Sequence, residues 1–382
     1  MIYLDNAATT FPKPQSVLRA VNEAISVYGA NPGRGGHAMT LKAGRKLYEA
    51  RQMLAEMFYC GSERVIFCSN CTDALNSAIR GSLKKGDHVI ISSLEHNSVL
   101  RPVHAMKNEG IITYDVFFVD PQSKEKTLSN LKALIKKNTA AVICTAVSNV
   151  FGTVLPVGEI GELLDSAGIL FIVDGAQAAG SHVLDMSKQK IDILCIPGHK
   201  GLMGPMGTGV LLLNEKTELK PLKYGGTGSG SMSPDQPEFY PDRHESGTAN
   251  LPRIAGLGAG VRFVRSKGID AISYGESELI SLLKEDLSVI KGVEAYGCMH
   301  STVRTNLLSF NIRGRHSEQV AELADKHGIA LRAGYHCSYL AHKNYGTEKT
   351  GTVRASVGPF NTKKDVKNLA FYLNKIALCK NI

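Results

Sequence analysis

Cys337 sits in the run RAGYHCSYL (332–340), in polar surroundings rather than in an apolar stretch. Between Lys326 and Arg354 there are five cations (Lys326, Arg332, Lys343, Lys349, Arg354), three histidines (His327, His336, His342) and one carboxylate, Glu348. Nearby cations favour thiolate over thiol, and the thiolate is the attacking form of cysteine. A second reactive group is Lys200, in PGHKGLMGPMGTG (197–209), directly after the apolar run DILCI (192–196). A lysine held in a tight site can lose its proton and form a Schiff base with a carbonyl compound. Taken alone, it reads as a solvated lysine in a glycine-rich turn.

Asp174 opens a further possibility. In VDGAQAAG (173–180) it follows the apolar run ILFIV (169–173), which puts its carboxylate where a strand ends. Such a carboxylate can pair with the protonated ring nitrogen of pyridoxal phosphate (PLP), or simply cap a helix. Gln177 lies a turn further on. In SNCTDALNSAI (69–79), Thr72 opens a helix, where a hydroxyl and backbone N–H groups can hold phosphate or serve as an ordinary cap. His96 in SLEHNSVL follows another strand-like run and could stack on a flat ring, although a lone histidine is more often structural. Asn149 in SNVFGT and Thr248 in HESGTAN occupy similar loop positions. The spacing of CSNC (68–71) suits a zinc half-site or a redox pair. No partner pair follows at finger-like spacing, so structural cysteines are expected and no metal site is.

These residues need a frame. Strand-like runs at VIFC (65–68), HVIIS (88–92), TYDVFFV (113–119), AAVICTA (140–146), ILFIV, DILCI and GVLLL (209–213) alternate with helical stretches at 72–83, 128–138 and 160–168. Alternation of this kind predicts an α/β domain on a mostly parallel sheet, with ligands at the carboxyl ends of its strands. YGGTGSGSMSPDQPEFYPD (224–242) reads as a long functional loop. After it come a helical run (251–268) and shorter strands at 307–312 and 352–357, which predict a smaller α+β domain.

With 382 residues, 43% of them apolar and 21% charged, the chain has a globular composition. Its net charge of +9 (44 basic against 35 acidic) is spread out and carries no RNA-binding aromatic signature, so a solvated basic surface is expected. The opening MIYLDNAATTF lacks the pattern of a signal peptide, and no apolar run approaches a membrane span. The eight irregularly spaced cysteines suggest reduced thiols and a cytoplasmic location.

The ordered set YLDNAATT, CTDALN, EHNS, SNVFGT, VDGAQ, GHKGLMGP, ESGTAN, YHC and VRAS resembles the class V aminotransferase-fold, PLP-dependent enzymes. Within these it is similar to cysteine desulfurases of the group II (Suf-type) branch, which includes selenocysteine lyases. The resemblance covers essentially the whole chain. It implies fold type I, with a large domain on a mostly parallel seven-stranded sheet. The expected divisions are an N-terminal segment 1–15 packing near the small domain, a large PLP-binding domain 16–254, and a small C-terminal domain 255–382 carrying the cysteine loop.

The resemblance also implies roles. Lys200 would hold PLP and move the Cα proton, Asp174 would pair with the ring nitrogen, and Gln177 would bond the ring's phenolic oxygen. His96 would lie over the ring. Thr72 and His199 would bind the phosphate, with Cys71 beside them, and Thr248 would reach it from the second subunit of a homodimer. Arg354 would grip the substrate carboxylate, assisted by Asn149, with Arg332 in the same substrate-binding set. Cys337 would attack the sulfur of L-cysteine, or the selenium of L-selenocysteine. The products would be alanine and a persulfide passed to an acceptor protein, for uses such as iron–sulfur cluster assembly or tRNA thiolation. Pro197 stands where the family often has a hydroxyl residue that helps hold phosphate.

Overall fold

The computed structural model describes residues 1–33, 36–297 and 305–378. In chain order the elements are β1 (Ile2–Tyr3), α1 (Gln15–Ser26), α2 (Ala38–Phe58), β2 (Val65–Cys68), α3 (Cys71–Ser82), β3 (Asp87–Ser92) and α4 (Asn97–Asn108). There follow β4 (Ile112–Phe117), α5 (Lys124–Ala133), β5 (Thr139–Thr145), α6 (Val157–Ala167), β6 (Leu170–Asp174), β7 (Ile193–Pro197) and β8 (Gly209–Leu213). The remainder is α7 (Leu251–Lys267), α8 (Ile269–Ser288), β9 (Val293–Tyr296), β10 (Leu307–Ile312), α9 (Ser317–Asp325), β11 (Ile329–Ala330), β12 (Arg332–Gly334), α10 (Tyr339–Asn344), β13 (Thr352–Ser356) and α11 (Lys363–Leu378).

Seven strands form the main sheet in the order β2-β8-β7-β6-β5-β3-β4. All neighbours run parallel except β8, which is antiparallel to both β2 and β7. This is the expected α/β architecture. Its inner strands hold near-continuous apolar runs, such as VII in β3, LFIV in β6 and VLLL in β8, because helices cover both faces; every residue of β3, β7 and β8 is buried. The two apolar layers include Phe171, Val173 and Leu194 on one side and Ile143, Ile172 and Cys195 on the other.

Local chemistry sets the helix ends. Asn70 accepts from Asp73 N at 2.9 Å and starts α3 immediately after β2. Gly168, with φ +65°, closes α6 in the left-handed conformation that glycine adopts without strain. The helix expected at 128–138 lies instead at 124–133. The Ser123 hydroxyl caps it by accepting from Lys126 N at 3.1 Å, and residues 134–138 turn into β5 through Thr139 N→Lys136 O at 3.0 Å. A side-chain cap outweighed the apolar spacing that pointed further along.

A second, antiparallel sheet has the order β12-β13-β10-β9. Its core joins Phe310, Val353 and Leu369 to Leu283 of α8 and to Leu4 near the start of the chain. β1 pairs in parallel with β11, Ile2 facing Ile329. Helix α7 places Leu257 and Val261 in the core of the large sheet, whereas α8 belongs to the small one. The segment 4–10 bridges the two: Asn6 N bonds Ser356 O at 3.3 Å, and Thr10 N bonds His199 O at 3.2 Å. Among the described residues no helix is long and apolar enough to cross a membrane.

Candidate active site

The carboxyl ends of β2, β3, β5, β6 and β7 converge, and polar groups follow each of them. Asp174 is the last residue of β6 and is 3% exposed. Its Oδ1 accepts from Ala176 N at 2.9 Å and receives the Cys71 thiol at 3.7 Å. Burial raises the Asp174 pKa, while the Ala176 N–H and the positive charge of Lys200 pull it back. Burial likewise lowers the Lys200 pKa; Asp174 and Cys71 act the other way, and Arg354 and Arg332 add to the lowering. Acid and amine thus share one poorly hydrated site.

The loop carrying Lys200 is held from behind by the N-terminal segment. Lys13 Nζ donates to His199 O at 2.7 Å and to Thr10 Oγ1 at 2.6 Å, and Thr10 Oγ1 donates to Lys200 O at 3.0 Å. Burial lowers Lys13 to about 8 and His199 to about 4. His199 Nδ1 is buried with no hydrogen-bond partner among the described residues. Gln177 donates to Ala7 O at 3.0 Å. The Lys200 turn meets the helix-like turn after Asp174 at two glycines: a Cβ on Gly201 would run into Ala179 O, and Gly180 (φ +93°) faces Gly201 in turn.

His96 caps α4. Its Nδ1 accepts from Ser98 N at 3.0 Å, so the proton of the neutral ring sits on Nε2. Burial first, then the charges of Lys200, Arg332, Arg101 and Arg354, push its pKa down to about 4. The Ser98 hydroxyl lies 2.8 Å from both His96 Nδ1 and Thr72 Oγ1, which ties the start of α3 to the start of α4. Thr72 is exposed there, able to meet a ligand. Thr248 is also exposed and stands apart from this group, lining a cavity of about 840 Å³ with Ser69, Asn70 and Asp73.

The small sheet supplies the cationic wall. Arg354 on β13 faces Arg332 on β12 in register, so both side chains lie on one face. Arg354 is 1% exposed. Its Nη2 donates to Asp5 Oδ1 at 2.8 Å and its Nη1 to Asn149 O at 2.7 Å, while Nε has no partner among the described residues. Arg332 Nη2 lies 4.0 Å from Cys337 Sγ. Cys337 is the exposed one among the described cysteines. It has a positive φ of 58°, and its carbonyl accepts from Asn97 N at 2.7 Å, next to His96.

Lys200, Asp174, His96, Arg332, Arg354 and Cys337 therefore gather at one place, together with Cys71, Thr72, His199 and Gln177. Three neighbours were not singled out from the sequence: Asp5, Lys13 and Glu95. Buried Glu95 accepts from Thr145 N at 2.8 Å and from the Ser92 hydroxyl, joining the ends of β3 and β5. Asp5 and Glu95 lie in YLDNAATT and EHNS, so motif membership was the available signal; Lys13 had none.

Residues 2–369 match the family model described as aminotransferase class-V. The chain is 35% identical to a probable cysteine desulfurase of Methanothermobacter thermautotrophicus, over 98% of this chain and 94% of that protein. It is 31% identical to a cysteine desulfurase of Yersinia pseudotuberculosis, over 98% and 93%. Among solved structures, the apo cysteine desulfurase from Thermococcus onnurineus superposes with a TM-score of 0.92 at 31% identity, covering 98% of this chain and 94% of that one. The S-sulfonic acid form of the Escherichia coli cysteine desulfurase CsdA gives 0.88 at 27% identity, with 98% and 94% covered.

Proposed function

The chain belongs to the class V aminotransferase family, and on that premise we propose that it is a PLP-dependent cysteine desulfurase. It converts L-cysteine to L-alanine and leaves a persulfide on Cys337, which an acceptor protein then collects. The observation that carries this reading is the exposed thiol of Cys337 beside Arg332, whose charge also bears on Lys200 and His96.

The residues fit the cofactor by their chemistry: a buried acid, a desolvated amine, a neutral imidazole and the unpartnered Nδ1 of His199 share one site. When bound, PLP supplies an electron sink for the carbon skeleton of an amino acid. Lys200 would hold it, Asp174 would face its ring nitrogen, Gln177 its phenolic oxygen, and His96 its ring. Thr72 and His199 would form the phosphate end, with Thr248 contributed by the second subunit of a homodimer, and Cys71 would line the cofactor site beside Asp174.

The chain's own groups then divide the work. Arg354, with Arg332 opposite, binds the substrate carboxylate through a planar fork. Lys200, its proton loosened by burial, takes the Cα proton. The Cys337 thiolate forms a bond to the substrate sulfur as the Cβ–S bond breaks. The bonding pair stays with the carbon skeleton, which is protonated and leaves as alanine. Splitting sulfur transfer through a covalent intermediate is the usual gain of a nucleophile. Pro197 at the end of β7 has no N–H to offer phosphate, which leaves that task to His199 and to the start of α3. We place the protein in the cytoplasm, consistent with a site that needs a reduced thiol.

The test compares wild type with Cys337→Ala and Lys200→Ala in alanine and persulfide formation from L-cysteine. Cys337→Ala should keep the yellow cofactor colour and lose turnover by on the order of 10³-fold. Lys200→Ala should lose the borohydride-fixable colour. Unchanged turnover in Cys337→Ala would move the protein to another class V activity.

A further inference from the structure

We propose that Asn149 is a positioning residue for Cys337, holding the nucleophile's backbone in place while its own carbonyl seats Arg354. The proposal rests on the desulfurase reading for what Cys337 does, but not for how it is held. Both ends of the Asn149 amide are committed to the residues that bracket the cysteine. Nδ2 donates to His336 O at 2.8 Å, and Oδ1 accepts from the Ser338 hydroxyl at 2.7 Å. The main-chain carbonyl of the same residue receives Arg354 Nη1 at 2.7 Å.

The loop needs such a clamp. His336 and Cys337 have φ of 48° and 58°, two successive non-glycine residues in the left-handed region, which costs free energy unless the surroundings enforce it. Other bonds complete the enforcement: His336 Nε2 donates to Thr352 O at 3.0 Å, Ser338 N to Tyr335 O at 2.9 Å, and Asn97 N to Cys337 O at 2.7 Å. Among the described residues, Asn149 alone bonds to both sides of the cysteine and also to the carboxylate-binding guanidinium. It sets the spacing between nucleophile and substrate anchor, which a near-attack geometry requires.

Hydrogen exchange of the PLP-loaded protein, read by mass spectrometry, tests this directly. In Asn149→Ala, the amides of Ser338 and Asn97 should exchange about tenfold faster, while those of β3, β5 and β10 keep the wild-type rate. Turnover should fall about tenfold in kcat, with KM for L-cysteine within about twofold of wild type. Ser338→Ala, which spares the bonds to His336 and Arg354, should move both readouts the same way by less. The double variant should be no worse than Asn149→Ala, because the two groups act through one bond. Unchanged exchange at Ser338 and Asn97, or a raised KM with kcat held, would overturn the proposal. Should Asn149→Ala not fold, Ser338→Ala decides by the same two readouts. A wild-type protein making no alanine would refute the desulfurase reading and leave the exchange result standing.

Discussion

Arg332 and Arg354 face each other across neighbouring antiparallel strands, two cations on one face with Asp5 as the carboxylate bonded to the second. Like charges directly opposite destabilise a strand pair, so the arrangement is relieved by an anion. Asp5 supplies part of that relief, and the substrate carboxylate would supply the rest. Arg354→Lys keeps the charge but loses the fork, and should raise KM for L-cysteine roughly tenfold to a hundredfold. Asp5→Asn removes a countercharge from a buried guanidinium and should lower stability by about 2 kcal/mol, read by urea unfolding. Unchanged KM in the lysine variant would place the carboxylate elsewhere.

Stability should peak near neutral pH, and the sign follows from which groups are perturbed. Burial lowers His96, His199, His244 and His342 to about 4 and His336 to about 2. Burial raises Glu95 and Glu276 to about 8. Between about pH 4.5 and 6, unfolding therefore takes up protons on five imidazoles and releases them from two carboxyls, so stability rises with pH. Between about pH 7 and 8 the two carboxyls outweigh the opposing uptake by Lys13, and stability falls by at most about 1.4 kcal/mol per pH unit for each carboxyl, less as they ionise toward pH 8. Glu95→Gln removes one of these groups and should cut the fall by half or more, measured by denaturant unfolding at pH 7 and 8. An equal slope in that variant would show that Glu95 is ionised in the folded protein.

Gly201→Ala tests the seat of the Lys200 loop. Its methyl group would meet the Ala179 carbonyl oxygen, a backbone atom that cannot swing away. The loop must shift, at about 1–3 kcal/mol, and carry Lys200 out of line with Asp174. Expected are a lower unfolding midpoint and less visible absorbance per protein after dialysis. A variant that keeps its full cofactor complement would show that the loop tolerates the shift.

The parts legible in the sequence share one property: their signal is local. DILCI followed by GHK, and ILFIV followed by DG, mark strand ends with chemistry attached, and the parallel sheet then aligns them. Cys337 announced itself by its polar neighbours. Asp5 was marked only by its place in YLDNAATT and not by its role, since its partner Arg354 is 349 positions away. Lys13 reaches His199 across 186 positions, and Glu95 reaches Thr145 across 50. Each is an unremarkable polar residue until the fold supplies its partner. Asn149 stood out in SNVFGT, but the partner of its side chain did not, because His336 lies 187 positions away. The error at 128–138 was local: Leu128, Leu131, Leu134 and Ile135 keep helical spacing, but the Ser123 cap starts the helix early and the turn into β5 cuts it short.

The N-terminal stitch has a consequence for biosynthesis. Asn6 leaves the ribosome 350 residues ahead of Ser356, the strand residue whose carbonyl its side chain bonds. Until then the Lys200 loop lacks its brace on the small sheet, and Arg354 has not been made. A chain that has not reached β13 therefore lacks both the guanidinium that would grip an amino acid and the strand that receives its own beginning.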